Sequence, residues 1–160
     1  MIYKYSLIKK GPVLIRPGAR EPGLLRVCRQ IRSEARGIWF SKNTFQLSVY
    51  DCDGGQISAF NRYNGEKLPK PNTMMFFGRR NWANVLSWAR LVHQGKGYVL
   101  GNSFPQSPTL VSPRSREIWD IVYAATMMAY NLSDLPWENV EKNIELIRTA
   151  AGRASRLWLV

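Results

Sequence analysis

Four arginines, Arg26, Arg29, Arg32 and Arg36, recur at three- and four-residue spacing, which sets them along one side of a helix. A guanidinium offers a planar fork of donors that can grip a phosphate or a carboxylate bidentately, so this row is the candidate binding surface. The residues of hydrolytic or metal chemistry are sparser. His93 is the only histidine, and no serine sits in a G-x-S-x-G elbow to pair with it. A lone histidine near a helix end is expected on the surface or at a cap. Asp51 and Asp53 flank Cys52 ahead of Gly54-Gly55, and paired carboxylates can hold a hard cation or share a proton. Asp and Gly after a strand also make a turn, which is the expected reading. Cys28 and Cys52 lack zinc-ligand spacing, and neither a G-x-x-x-x-G-K-[ST] loop nor a G-x-G-x-x-G fingerprint occurs. No catalytic residue, metal ligand or cofactor is assigned, and a non-enzymatic protein is expected.

The elements that must carry these residues follow from periodicity. Leu24, Val27, Cys28, Ile31, Ala35 and Ile38 keep helical spacing within an arc of about 100°, with the arginines expected on the opposite side. Gly37 is expected to mark the helix end, and Ser41–Thr44 supply turn chemistry. Phe45, Leu47 and Val49 then alternate with Gln46, Ser48 and Tyr50, the pattern of a half-buried strand. Upstream, Met1–Ile8 reads as a helix end or a short strand. The stretch from Gly11 to Gly23, with three prolines and three glycines, reads as a loop with an extended piece at Val13–Ile15.

Downstream, residues 74–77 (MMFF) read as a strand or the start of the next unit. Trp82, Val85, Leu86, Ala89 and Val92 stripe a second helix, with Gly95 at its C-terminal end. Gly97–Leu100 is expected to be a short strand, followed by a proline-bearing loop. Ser112-Pro113 is an N-cap followed by a first-turn proline, opening a helix with Ile118, Ile121, Val122, Ala125 and Met128 at helical spacing. Pro136 opens a last helix striped by Val140, Ile144 and Ile147. Glu138, Glu141 and Glu145 near its start, and Arg148, Arg153 and Arg156 near its end, complement the macrodipole. Trp158, in the terminal RLWLV, is expected to dock the tail on the core.

The sum is an α+β fold, a helix-dominated single domain with a few short strands, without the regular βα alternation of a doubly wound sheet. With 160 residues, 45% of them hydrophobic, one core can form without disulfides. Charge is uneven: residues 1–42 carry ten Lys and Arg against two Glu, +8 of the net +12. Such asymmetry suits a solubilising surface or an acidic partner, whether nucleic acid, an anionic membrane face or an acidic protein. No secretory leader and no apolar run long enough to span a bilayer is seen, so the expected location is cytoplasmic or nuclear.

The phrase LLRVCRQIRSEARGIWFSKNTF resembles a group of fungal F-box-like proteins. It matches at Leu24, Leu25, Val27, Cys28, Arg29, Gln30, Ile31, Arg32, Ser33, Glu34, Ala35, Phe40, Asn43, Thr44 and Phe45. MIYKYSLI resembles the closing half of the F-box-like piece, with residues 1–10 its remnant, and Trp82–Gly95 resembles the later helix of the group. The resemblance spans roughly residues 1–100, followed by the C-terminal helices of 112–160. It implies a protein-interaction role, as a receptor-type subunit that links targets to the adaptor of an SCF-type ubiquitin ligase. The LP.E.RN opening of the box is not seen ahead of the remnant, so the box is expected to be truncated or degenerate. Cys28, Gln30, Ile31, Glu34, Asn43 and Phe45 are the motif positions expected to be structural, with Cys28 and Ile31 in the core and Asn43 in a turn. No basic residue stands four places from Glu34, so its carboxylate is expected to face solvent or a group elsewhere in the fold. The alternative is a nucleic-acid-binding protein using the arginine face of residues 24–38.

Overall fold

A computed structural model describes residues 3–16, 22–57, 73–97, 99 and 112–159. A short helix α1 (Tyr3–Leu7) leads to strand β1 (Val13–Ile15), a 3-10 turn (Gly23–Arg26), helix α2 (Arg29–Lys42) and strand β2 (Phe45–Tyr50). Strand β3 (Thr73–Phe77) follows, then three helices: α3 (Trp82–His93), α4 (Pro113–Asn131) and α5 (Trp137–Ala154). A second 3-10 turn (Arg156–Trp158) closes the order. The architecture is α+β and helix-dominated, as its periodicities require.

The strands form one parallel sheet in the order β1-β2-β3. Parallel pairing needs a crossover, and α2 lies in the one between β1 and β2. Regular βα alternation is still missing, because α3, α4 and α5 follow one another with no described strand between them. Register sets Val13, Ile15, Phe45, Leu47, Val49, Met74 and Phe76 on one face, and these are the strand residues that enter the apolar cores. A larger core joins Leu47, Val49, Met74 and Phe76 to α3, α4, α5 and Trp158. A smaller one joins Phe45 to Leu7, Leu25, Ala35, Trp39 and Phe40, with Ile15 packed against both. On the opposite face Leu14, Tyr50 and Phe77 stay 37–39% exposed, and Tyr50 stacks on Phe77 with ring centroids 5.4 Å apart.

Helix boundaries follow local chemistry. Asn81 caps α3 by accepting from the Asn84 amide at 3.2 Å, and Ser112 caps α4 by accepting from the Ser115 amide at 3.2 Å. Gly95, at φ +68°, ends α3 in the left-handed conformation that favours glycine. The Val13–Ile15 and 74–77 pieces are strands, and Met1–Ile8 contributes α1. Gly97 and Val99 belong to no strand, and residues 58–72, 98 and 100–111, where the expected proline-bearing loop falls, lie outside the described residues.

The Leu24–Ile38 reading needs correction at both ends. Residues 23–26 wind as a 3-10 turn, Val27 and Cys28 break the winding, and α2 begins at Arg29. Gly37 does not end it: the helix continues through Ser41 and Lys42, because Trp39, Phe40 and Phe45 bury together beyond the glycine. Their rings meet at 5.5–5.7 Å, and tertiary packing outweighs the local cost of about 1 kcal/mol for a helical glycine.

Candidate functional site

Burial along α2 deepens toward its second half, where Gly37, Ser41 and Lys42 stay exposed on the far side. Residues 26–34 are exposed except for half-buried Ile31, whereas Ala35, Trp39 and Phe40 in the second half are buried. Arg36 is therefore not set opposite the core, whereas Arg26, Arg29 and Arg32 stay exposed. At 100° per residue, Arg36 lies within about 60° of both Trp39 and Phe40. Arg36 is half-buried, with its Cζ 6.0 Å from the Phe40 ring centroid. Arg32 donates from Nε to the Leu25 carbonyl at 2.7 Å, which fastens α2 to the 3-10 turn before it. Arg26 and Arg29 are exposed and form no ion pair among the described residues. The basic surface thus narrows to the projecting first half: Arg26, Arg29 and the outer nitrogens of Arg32.

The motif residues divide the same way. Phe45 is fully buried, and Ile31 is half-buried. Cys28, expected in the core, is exposed: it is the N-cap of α2, and its Sγ accepts from the Ile31 amide at 3.5 Å. Glu34 finds its partner on its own helix, since Gln30 Nε2 donates to its Oε1 at 3.0 Å. Its carboxylate also faces solvent, as expected. Asn43 is more than a turn residue. It is 8% exposed, and its Nδ2 donates to the Leu7 carbonyl at 3.0 Å and the Trp39 carbonyl at 2.8 Å. Its Oδ1 accepts from the Lys9 amide at 2.7 Å. One side chain thus ties the end of α1 to the end of α2 through groups that would otherwise be unsatisfied.

Asp51, Asp53 and His93 each hold a hydrogen bond within the fold. Asp51 accepts from the Arg79 amide, and Asp53 accepts from the Gly55 amide at 2.8 Å and the Gln56 side chain at 3.4 Å. Asp51 and Cys52, at φ 51° and 60°, carry the turn between β2 and the helical residues 55–57. Burial pushes the Cys52 thiol up. His93 stands 2.8 Å from the Leu135 carbonyl through Nε2, an acceptor that requires the Nε2–H tautomer, and meets Trp137 edge-on at 5.5 Å. Among the described residues no three or more His, Cys, Asp or Glu stand together as a metal cage, and no helix is long and apolar enough to cross a membrane.

One charged cluster escaped the sequence reading. Arg80 clamps Glu117 through Nε at 3.2 Å and Nη2 at 2.6 Å, and Trp158 donates to the same carboxylate. Beside it, Trp82 Nε1 donates to Glu145 at 2.7 Å, and Arg148 reaches the backbone carbonyls of Trp158 at 3.1 Å and Leu159 at 3.4 Å. The cluster fixes the C-terminal tail against α3, α4 and α5. The only sequence signal for it was the tail tryptophan, since its partners lie 41 and more positions away along the chain except for Arg148. Compared with known proteins, the chain matches no family model, no curated protein and no solved structure.

Proposed function

We propose that this chain is an intracellular, cytoplasmic or nuclear, protein-interaction module of the fungal F-box-like kind, acting as a receptor-type subunit. The observation that supports the reading is the single unit built by the motif phrase. Leu25, Ala35, Phe40 and Phe45 share one core with Leu7 of the remnant, and Asn43 bonds across to Leu7 and Lys9. The phrase that carries the resemblance is therefore mostly a folding device, and it holds out the exposed start of α2 for a partner. The test is a pull-down with the purified SCF-type adaptor, using the chain fused behind a complete F-box opening. Co-elution that is lost when the added opening is mutated supports ligase linkage, and absence of co-elution removes it.

The second reading, a nucleic acid on the arginine face, is favoured by the exposure of Arg26 and Arg29. It predicts a gel shift at low salt that weakens steeply as salt rises, because each phosphate contact releases counterions.

A further inference from the structure

The first half of α2, together with the turn before it, forms a projecting basic knob. Arg26, Arg29 and Arg32 are exposed, as are their sequence neighbours Val27, at 65%, and Cys28. Arg29 and Arg32 stand one turn apart, about 4.5 Å along the axis. The Nε–Leu25 bond holds the Arg32 stem and leaves its Nη nitrogens without a hydrogen bond among the described residues. The knob sits at the positive end of the α2 macrodipole, which adds to the same sign of charge. Residues 26–34 include one acid, Glu34, and Gln30 occupies it.

We infer that this knob docks an acidic segment of a partner protein in which carboxylates flank an apolar side chain. Carboxylates match the arginine forks, and an aliphatic side chain of the segment covers Val27, which is 65% exposed among them. Two features favour a protein segment over a nucleic acid. The free charges are three, so few phosphate contacts can form and the counterion-release gain is small. Residues 26–34 also contain no aromatic side chain on which a base could stack. The inference rests on the protein-interaction reading but not on ligase linkage, so loss of adaptor binding would leave it standing.

Fluorescence anisotropy of the full chain tests it, with a labelled peptide of alternating glutamate and leucine as probe. A glutamine-for-glutamate peptide and a single-stranded oligonucleotide serve as comparisons. The expected result is binding of the acidic peptide, weakened about tenfold or more by the pair Arg26→Glu and Arg29→Glu. The same change of net charge on α5, Lys142→Glu with Arg153→Glu, should leave binding unchanged, since both residues are exposed on a helix that packs in the larger core, whereas α2 packs in the smaller one. Val27→Ser should weaken the peptide complex severalfold, because it exchanges the apolar contact for a hydroxyl. Circular dichroism of each variant keeps misfolding from passing as lost binding. No peptide binding at low salt overturns the inference. So does equal loss from the α5 pair, which would reduce the effect to net charge. Tighter binding of the oligonucleotide, indifferent to Val27→Ser, replaces it with the nucleic-acid reading.

Discussion

The indole of Trp158 donates to Glu117 Oε1 at 2.9 Å, on the carboxylate that Arg80 grips with two nitrogens. Trp158 is fully buried and meets Trp82 edge-on at 6.3 Å, and the Arg80 Cζ lies 6.0 Å from the Trp158 ring centroid. The tail is therefore part of the larger core, and the ion pair beneath it holds the ring's polar edge.

Trp158→Ala should cost about 3–5 kcal/mol, the usual range for emptying a buried aromatic site. Trp158→Phe keeps most of the ring but removes the donor, and should cost less. Glu117→Gln leaves the Arg80 side chain, 10% exposed, without its counter-charge. Glu117 itself is 33% exposed, so solvent screening reduces the expected loss to about 1–3 kcal/mol. Urea unfolding of the three variants checks the order Trp158→Ala, then the two milder changes.

The same contact makes stability depend on acid. Hydrogen bonding from Arg80, followed by that from Trp158, holds the Glu117 carboxyl below its ordinary value of 4.5 against the opposing effect of burial. The folded state thus binds a proton less readily than the unfolded state. Its contribution is whole above the ordinary value and is lost as pH falls through the lowered one. The stability gap between wild type and Glu117→Gln should be constant from about pH 7 to about pH 5 and close below it. A gap unchanged at acid pH would remove Glu117 from the account.

Much of this fold was legible because its signals are local. Ser112-Pro113, Gly95 and Pro136 punctuate helices by chemistry that needs no tertiary information. The Phe45–Val49 alternation gave β2 and its inward face for the same reason. The errors lie where long-range packing decides. Trp39 and Phe40 carry α2 past Gly37, and the emergence of its first half from the body sets which arginines are exposed, neither of which a helical wheel can show. Parallel pairing was hidden because residues 46–50 and 73–77 meet only in space. The Arg80–Glu117 pair joins residues 37 positions apart, a separation at which periodicity says nothing.

Asn43 provides a direct measure of how α1 is held. Asn43→Ala removes two donors and one acceptor at a site 8% exposed, leaving the Leu7 carbonyl and the Lys9 amide without that partner. A loss of about 2–4 kcal/mol is expected. Asn43→Asp restores the acceptor for Lys9 but turns a carboxylate toward two carbonyls, and should do no better. Hydrogen exchange should quicken at the Lys9 amide in Asn43→Ala while the amides of α4 remain protected.

The two cysteines should separate cleanly in a thiol assay. Cys28 is exposed at the start of α2, whereas Cys52 is 1% exposed with its thiol pushed up by burial, which reduces the reactive thiolate. One thiol should react promptly with Ellman's reagent at neutral pH, and the second only in denaturant. Cys28→Ser should abolish the prompt phase. Two prompt thiols would contradict the placement of Cys52.

Glycine-to-alanine substitution should have opposite signs at two places. Gly54 is buried, and a Cβ there would run into the indole ring and Cβ of Trp88. Trp88 is fully buried and stacks on Phe76 with centroids 6.5 Å apart, so its ring cannot swing aside without disturbing β3. Gly54→Ala should therefore destabilise by about 1–3 kcal/mol, the range for overpacking a filled core. Gly37 lies inside α2, is exposed, and has nothing within 4 Å of an added Cβ. Alanine there limits the unfolded chain without a clash and should stabilise by about 0.5–1 kcal/mol. Urea midpoints of the two variants should move to opposite sides of wild type. A fall at Gly37→Ala would mean that the helix does not run unbroken to Lys42.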